Sequence, residues 1–411
     1  LNLEYFIAKR IIGSKHYKSS ISGPIIKIAI SAIALGLIMM MVAIAVGVGL
    51  QQKIRDKVAA FNGHIQIVNF DNNNSQSSGK PISTNQEFYP EFKTVDGIKH
   101  IQAVATKAGV IRTENTFEGI VLKGVGADYQ WQNFDEFIVE GRTPKVDEEK
   151  ENKEVILSAY MANRLQLSVG DSFGSFFLRN NSDIPNKRNF TIVGLYDSGF
   201  KEFDEKYVFA DIRHIQRMNR WKPDEVGSFE VFIDDFSELQ EKGNEVYGSV
   251  LSTLNTTTIA DQFFTIFEWL AIFDFNILII MVIMIFVAGI NMITALLVLI
   301  LERTPMIGIF KAMGMQNRSI RQIFLYNAGY LIVLGLLWGN VIGVGLLYIQ
   351  KKFGFIKLDP VNYYVTEAPV YIDVRYIIAL NLGVLLLCVL MLLLPSQIIT
   401  KISPVKAIRF D

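Results

Sequence analysis

Apolar and polar positions divide the chain into two kinds of segment. Residues 28–50, 275–301, 323–349 and 376–399 carry no charged side chain. Each run is long enough for a helix across a hydrocarbon core, which takes about 20 apolar residues. A buried helix of a soluble protein would be shorter or show a polar face. Between the first two runs the text changes. Residues 64–70 alternate as a strand, a polar Asn- and Ser-rich loop follows at 71–79, and a helix at 86–95 leads to a strand at 101–111. The same order returns at the far end, with a strand at 229–233, a helix at 237–251 and a strand at 256–260. Two such units predict one split α+β subdomain. Residues 115–198 read as a β-rich insertion into it, with strands at 119–123, 171–178 and 190–196 and a helix at 158–165. The charged run 147–154 reads as a solvated loop.

Charge then orients the runs. Lys9, Arg10, Lys15, Lys18 and Lys27 precede the first, Arg303, Lys311, Arg318 and Arg321 lie between the second and third, and Lys401, Lys406 and Arg409 follow the fourth. Positive short flanks stay in the cytoplasm. The predicted fold is an α-helical membrane protein with four transmembrane helices plus a large α+β extracytoplasmic domain inserted between helices one and two. The expected domains are an interfacial helix (1–27), transmembrane helix one with a stalk (28–60), the periplasmic domain (61–262, insertion about 115–198), and a stalk with helix two (263–301). A cytoplasmic loop (302–322), helix three (323–349), a periplasmic loop (350–375), helix four (376–399) and a cytoplasmic tail (400–411) complete them. The apolar repeat Leu3, Phe6, Ile7, Ile11 suggests that the leading helix lies in the membrane interface. A helix over 263–301 would be about 58 Å long at 1.5 Å per residue, well beyond the ~30 Å core. Asp274 near the membrane edge reads either as interfacial solvation or as a substrate group, the former favoured. Gly335, Gly339 and Gly343, four apart, predict a closely approaching neighbour helix.

Composition excludes several classes. Net charge is zero, which suggests no nucleic-acid partner. Cys388 is the one cysteine and lies in an apolar run, so it reads as a packing residue. His16, His64, His100 and His214 are scattered and form no ligand spacing, so no metal is expected. The first apolar run is too long and too late for a cleavable signal peptide. Residues 170–174 fit G-x-S-x-G, but a helix precedes and a strand follows, the reverse of a nucleophile elbow, so Ser172 reads as a turn. No Gly-x4-Gly-Lys-Ser/Thr loop is present, so ATP is not expected to bind this chain by that cradle.

The loop from Glu302 to Met315 is the most informative segment. Thr304 suits a helix N-cap, Pro305 the first turn, Gly314 the position past the end and Asn317 the cap of the next helix. The resulting helix, 305–313, presents Met306, Ile309, Phe310 and Met313. An apolar surface of this kind calls for lipid headgroups or a protein partner, and the physics alone does not choose.

The residues Glu302, Arg303, Ile307, Gly308, Ile309, Lys311, Ala312 and Gly314 resemble the coupling-helix pattern of the FtsX/MacB-like superfamily of ABC transporter permeases. The start Phe6-Ile7-Ala8-Lys9-Arg10, the stretches Ile33-Ala34-Leu35-Gly36 and His64-Ile65-Gln66-Ile67, the loop 358–365 followed by Ala368-Pro369-Val370, and the tail 403–409 resemble the lipoprotein-releasing permeases of LolC/LolE type. One departure is the end of the last run, Leu394-Pro395-Ser396-Gln397, where many relatives are more basic.

The resemblance implies a non-catalytic permease subunit in the bacterial inner membrane, with both termini cytoplasmic. Its implied partners are a cytoplasmic ABC ATPase dimer that holds ATP and Mg, a second permease, identical or related, a lipoprotein substrate and a periplasmic lipoprotein carrier, besides membrane lipid. Glu302, Arg303, Pro305, Ile307, Gly308, Phe310, Lys311 and Gly314 are the expected ATPase-coupling residues. Depth in the membrane suggests Val42, Val46, Leu50, Phe263, Phe267 and Leu270 as acyl-chain contacts. A carrier-binding hook is implied at 179–189, through Pro185, Asn186, Lys187 and Arg188, against an ordinary hairpin loop. The alternative function is a mechanotransmitting permease that regulates a periplasmic partner or drives efflux of another substrate.

Overall fold

The structure is a computed structural model, and its described residues are 3–13, 22–72, 77–114, 116–146, 151–179 and 182–401. In chain order the elements are α1 (Leu3–Gly13), α2 (Ser22–Asn62), β1 (Ile65–Asn69), β2 (Ile82–Ser83), β3 (Ile98–Arg112), β4 (Phe117–Val125), β5 (Ile138–Gly141), β6 (Glu154–Ser158), α3 (Ala159–Leu165), β7 (Ser172–Arg179) and β8 (Ser182–Tyr196). There follow α4 (Lys201–Asp204), β9 (Tyr207–Asp211), α5 (Arg213–Asn219), β10 (Glu225–Val226), β11 (Ser228–Ile233), α6 (Leu239–Ser249), β12 (Leu254–Thr258) and α7 (Ile259–Gln262). The last are α8 (Phe264–Glu302), α9 (Thr304–Ala312), α10 (Asn317–Phe353), α11 (Pro360–Tyr363), α12 (Val374–Ser396) and α13 (Ile398–Lys401). Among the described residues, four helices are long and apolar enough to cross a membrane, and they contain the four uncharged runs. The chain forms two units, a helical one (Leu1–Gln52, Leu270–Lys357, Glu367–Asp411) and a sheet one (Lys53–Trp269, Leu358–Thr366).

In the helical unit the three spaced glycines of α10 meet α2. A Cβ on Gly335 would lie 2.8 Å from the side chain of Ile33, one on Gly339 2.8 Å from Leu37, and one on Gly343 3.1 Å from Met41 Sδ. The neighbour helix they predict therefore lies within this chain. Ile33, Leu37, Met292, Phe324, Leu331, Val384 and Cys388 belong to one buried cluster. Asn340 and Asn381 exchange side-chain hydrogen bonds of 2.7 and 2.9 Å between α10 and α12. By contrast Phe275, Leu278, Val282, Ile283, Phe286 and Ile290 of α8 are exposed. Asp274 accepts a 2.8 Å hydrogen bond from Gln51 Nε2, which also donates to Leu270 O. It thus fastens α8 to α2.

In the sheet unit, strands pair in the order β12-β1-β11-β3-β4-β9-β6-β8-β5, and β7 pairs both β3 and β8. Strands β3, β4, β9, β6, β8 and β7 consequently close into a ring. The expected insertion boundaries at 115 and 198 do not survive this pairing. β3 lies before residue 115 and β9 after residue 198, yet both belong to the ring. β9 pairs β4 in parallel, buried in near-continuous apolar text, which carries no alternation to read. β6 begins at the end of the charged run, where Glu154 is held by Arg142 in a two-pronged ion pair. Residues 147–150 of that run and 73–76 of the polar loop lie outside the described residues.

The helix expected at 86–95 is absent. Pro90 forbids a helix interior, and Phe88 and Phe92, four apart, instead stack 5.5 Å from each other beside Phe229. The strand expected at 256–260 ends at Thr258, whose hydroxyl accepts from Asp261 N and caps α7. Ser158 likewise caps α3.

Candidate functional site

The first candidate is α9. Its start is set by Pro305 in the first turn, but the expected caps are displaced by one residue. Arg303, not Thr304, stands at the cap position, while the Thr304 hydroxyl donates to Ile300 O at 3.1 Å. Gln316, not Asn317, precedes α10. The helix ends as expected at Gly314, whose φ of +89° only glycine adopts easily. Gly314 N donates to Lys311 O and Met315 N to Phe310 O, satisfying the last carbonyls.

α9 has two faces. Ile307 and Gly308 are buried, and Met306 and Phe310 are half-buried against the bundle cluster. Lys311 Nζ donates to Ile399 O at 2.7 Å and Thr400 O at 3.3 Å, at the end of the fourth apolar helix, and partial desolvation lowers its pKa. Glu302 and Arg303 are half-buried. Pro305, Ile309, Ala312, Met313 and Gly314 face outward. Of the eight expected coupling residues, then, six are wholly or partly turned into the bundle, and only Pro305 and Gly314 are exposed. Ile309, Ala312 and Met313 are exposed beside them. The helical period held that signal, because 305, 309 and 312 share one stripe and 303, 307 and 311 the other.

The acyl-contact set disperses. Leu50 and Leu270 are 2% and 1% exposed. Phe267 stacks on Phe236 at 5.7 Å, and Phe263 packs edge-on against Phe203 at 5.5 Å. Val42 and Val46 remain half-buried. Depth along the chain placed these residues without saying which way they face.

The hook residues lie on a strand, not in a loop. β7 and β8 form a long hairpin in register Phe176↔Lys187 and Phe177↔Asn186, with a shift between Phe177 and Arg179. Residues 180 and 181, at the turn, lie outside the described residues. Pro185 and Lys187 are exposed, and Lys187 Nζ sits 5.9 Å over the Phe176 ring. Ser172 enters β7, and its hydroxyl lies 2.9 Å from that of Thr191, an arrangement of a strand pair.

Sequence reading missed the polar centre of the sheet unit. Lys123 on β4 and Glu230 on β11 are 2% and 1% exposed and 2.5 Å apart. Lys123 Nζ also donates to Phe61 O in the last turn of α2, and Gln102 Nε2 donates to the other Glu230 oxygen at 2.8 Å. Burial pushes the Lys123 pKa down, and the carboxylate opposes that shift. The cation thus sits at the negative end of a helix. Beside it, Phe61 is ringed by Phe134, Phe137, Tyr196, Phe203 and Phe209 at 4.7–5.7 Å. No local spacing signals residues so far apart in the chain. A polar cavity of about 480 Å³ opens over this pair, lined by Gln66, Thr106, Ser228 and Thr257 among others. Among the described residues no cluster is arranged to hold a metal ion.

The MacB-like periplasmic core domain family matches residues 28–265, and the FtsX-like permease C-terminal family matches residues 278–404. The lipoprotein-releasing system transmembrane protein LolC of Haemophilus influenzae is 23% identical over 348 residues, covering 82% of this chain and 83% of that protein. LolC of Buchnera aphidicola subsp. Schizaphis graminum is 19% identical over 363 residues, covering 86% of each. The crystal structure of the extracellular domain of the noncanonic ABC-type transporter YknZ from Gram-positive bacteria is 15% identical, with a TM-score of 0.32, and covers 47% of this chain and 99% of that one.

Proposed function

This chain belongs to the family of permeases with a MacB-like periplasmic core domain and an FtsX-like C-terminal domain and resembles its LolC members, and on that premise we propose that it is the permease subunit of a lipoprotein-releasing ABC transporter. It draws on ATP hydrolysis by a separate ATPase to lift lipoproteins from the inner membrane and pass them to a periplasmic carrier. α1, α9 and the tail lie in the cytoplasm and the sheet unit in the periplasm, as the positive flanks require. The chain itself supplies no catalysis. Each methylene withdrawn from the bilayer costs about 0.8 kcal/mol, so extraction of an acylated protein needs that ATP.

The observation that carries the transporter reading is the two-faced α9. Ile307, Gly308 and Lys311 clamp it to the bundle, while Pro305, Ile309, Ala312 and Met313 form a small apolar surface suited to a groove of the ATPase. Pressure on that surface moves a helix rigidly tied to its neighbours. The exposed apolar face of α8, from Phe275 to Ile290, is where we place the second permease and the acyl chains, in place of the buried Leu50 and Leu270. The β7–β8 hairpin, through Pro185 and Lys187, is the proposed contact with the carrier.

Reconstitution with the ATPase in proteoliposomes tests this. ATP should transfer a labelled lipoprotein to the carrier, and no transfer would end the lipoprotein reading. Ile309→Glu and Met313→Glu should abolish ATPase binding while the permease still inserts. Undiminished assembly would remove the coupling role of α9.

A further inference from the structure

Lys57, in the last turns of α2, meets an unusual set of partners. Its Nζ donates to two neutral carbonyls, Ser198 O at 2.7 Å and Tyr364 O at 3.0 Å. It also lies 5.7 Å from the Phe137 ring centre and 6.0 Å from that of Phe200. Phe200 in turn stacks on Tyr364 at 4.4 Å with a 12° tilt, and Trp269 meets the Tyr364 ring edge-on at 5.9 Å. All these residues belong to the sheet unit, including Tyr364, which comes from the short segment Leu358–Thr366 between the third and fourth apolar helices.

The backbone is adapted to this convergence. Gly199 has φ of +72°, and a Cβ there would lie 3.1 Å from Lys57 Nζ and 3.2 Å from Tyr364 O. Tyr364 itself has φ of +58°, at the end of α11, where its N–H donates to Pro360 O. A bulky residue in that region is an outlier, held only where its surroundings over-determine it. Here the Lys57 ammonium, the Phe200 face and the Trp269 ring do so.

The chemistry suits a contact that opens. Lys123, buried with a carboxylate at 2.5 Å, cannot leave it without stranding two charges. Lys57 is half-buried, its acceptors are neutral, and its release leaves no unpaired anion behind. Burial lowers its pKa, with nearby Lys53 acting the same way, while Glu136, Asp197 and Asp204 act against it. The stems of the segment are fixed in the helical unit. Gln350 Nε2 donates to Ile356 O and Ala368 O, and Tyr371 N donates to Ala45 O on α2.

We propose that Leu358–Thr366 is a latch, closed on the sheet unit by Tyr364 against Lys57 and Phe200, and that each transport cycle opens it. Lys57 and Tyr364 are then positioning residues for transport, acting through the link between the third and fourth helices. This rests on the permease reading, and its test separates the two.

In the unmodified complex with the ATPase in nanodiscs, amide exchange of residues 358–366 should rise about tenfold or more on trapping with ATP and vanadate, relative to the nucleotide-free complex. In a Cys388→Ser background, Glu202→Cys with Tyr363→Cys, which flank the Phe200–Tyr364 contact and leave it intact, joined by a reducible bifunctional thiol reagent, should hold the latch shut. Lipoprotein transfer should then fall about tenfold or more, ATP hydrolysis should continue, and reduction should restore transfer. Lys57→Arg should retain transfer and Lys57→Met should lose it. Equal exchange in both nucleotide states, or full transfer by the tethered complex, overturns the latch. If the untethered parent transfers no lipoprotein, the permease reading falls, and the exchange measurement still decides the latch.

Discussion

Both halves of α2 must be held by their neighbours, and different physics holds them. From Ile33 to Met41 the partner is the glycine stripe of α10, where an added Cβ would fall 2.8–3.1 Å from α2 side chains. From Lys57 to Phe61 the partners are an ammonium network and a ring of aromatics. In hydrocarbon, helices gain nothing by hiding apolar surface from lipid, so close approach and sparse amide bonds must fix their geometry. In water, burial of aromatic rings drives collapse, and a buried charge is tolerable once its partners are complete. Substitutions should therefore fail differently in the two halves.

The largest effect belongs to the charged half. Lys123→Met leaves the Glu230 carboxylate buried with Gln102 alone and the Phe61 carbonyl without its cation. Breaking such a pair costs roughly 3–5 kcal/mol. Urea unfolding of the whole chain, followed by fluorescence of Trp131 near this centre, should show it. Adding Glu230→Leu should recover most of the loss, and a stable single variant would mean that the pair is not closed in the folded protein. Next comes the glycine stripe. Gly339→Leu must push α10 off Leu37 and the Ala34 carbonyl, and overpacking of this kind costs about 1–3 kcal/mol. A Cβ on Gly345, on the same helix, meets nothing, so Gly345→Ala should leave the melting temperature in detergent unchanged. Equal behaviour of the two variants would deny the stripe its role.

How legible these features are in the sequence follows the same divide. The four apolar helices, the glycine stripe and the short α9 are visible because each is a local period or an uninterrupted run. The ring of strands is not. β9 is apolar up to its last residue, Asp211, and β6 starts among charges, so neither alternates, and Phe88 and Phe92 imitate a helix that Pro90 prevents. Facing is the second loss. Ile307 and Ile309 look alike in the text, yet one is buried and the other presents itself outward. The Lys123–Glu230–Gln102 network and the Lys57–Tyr364 contact join residues with no sequence relation, and only the closed topology brings them together.

A pH dependence should distinguish the sheet unit as well. Burial raises the Asp204 pKa to about 6, although Ser198 N–H donates to its carboxylate at 3.0 Å. Between about 4 and 6 the folded protein keeps a proton that the unfolded chain has released, so stability falls as pH rises through that window and levels off above it. The expected fall is roughly 1–2 kcal/mol. Asp204→Asn, which can still accept from Ser198, should flatten the slope in urea unfolding measured from pH 4 to 7. An unchanged slope would assign it to another group.

The smallest expected effect tests the membrane half on its own terms. Asn340 and Asn381 each use the amide nitrogen twice, once across the helix gap and once toward a carbonyl four residues back on the same helix. Asn381→Leu removes two interhelical bonds, but the amide of Asn340 keeps its contact with Leu336 O. Interhelical hydrogen bonds in membranes average about 0.6 kcal/mol, because a separated helix also finds partners for its polar groups. Asn381→Leu should therefore lower the melting temperature in detergent less than Gly339→Leu does. Replacing both asparagines by leucine should cost no more than the single change, since no amide is then left half-paired. If the single asparagine variant proved as damaging as Lys123→Met, hydrogen bonding rather than steric fit would be what holds the helical unit together.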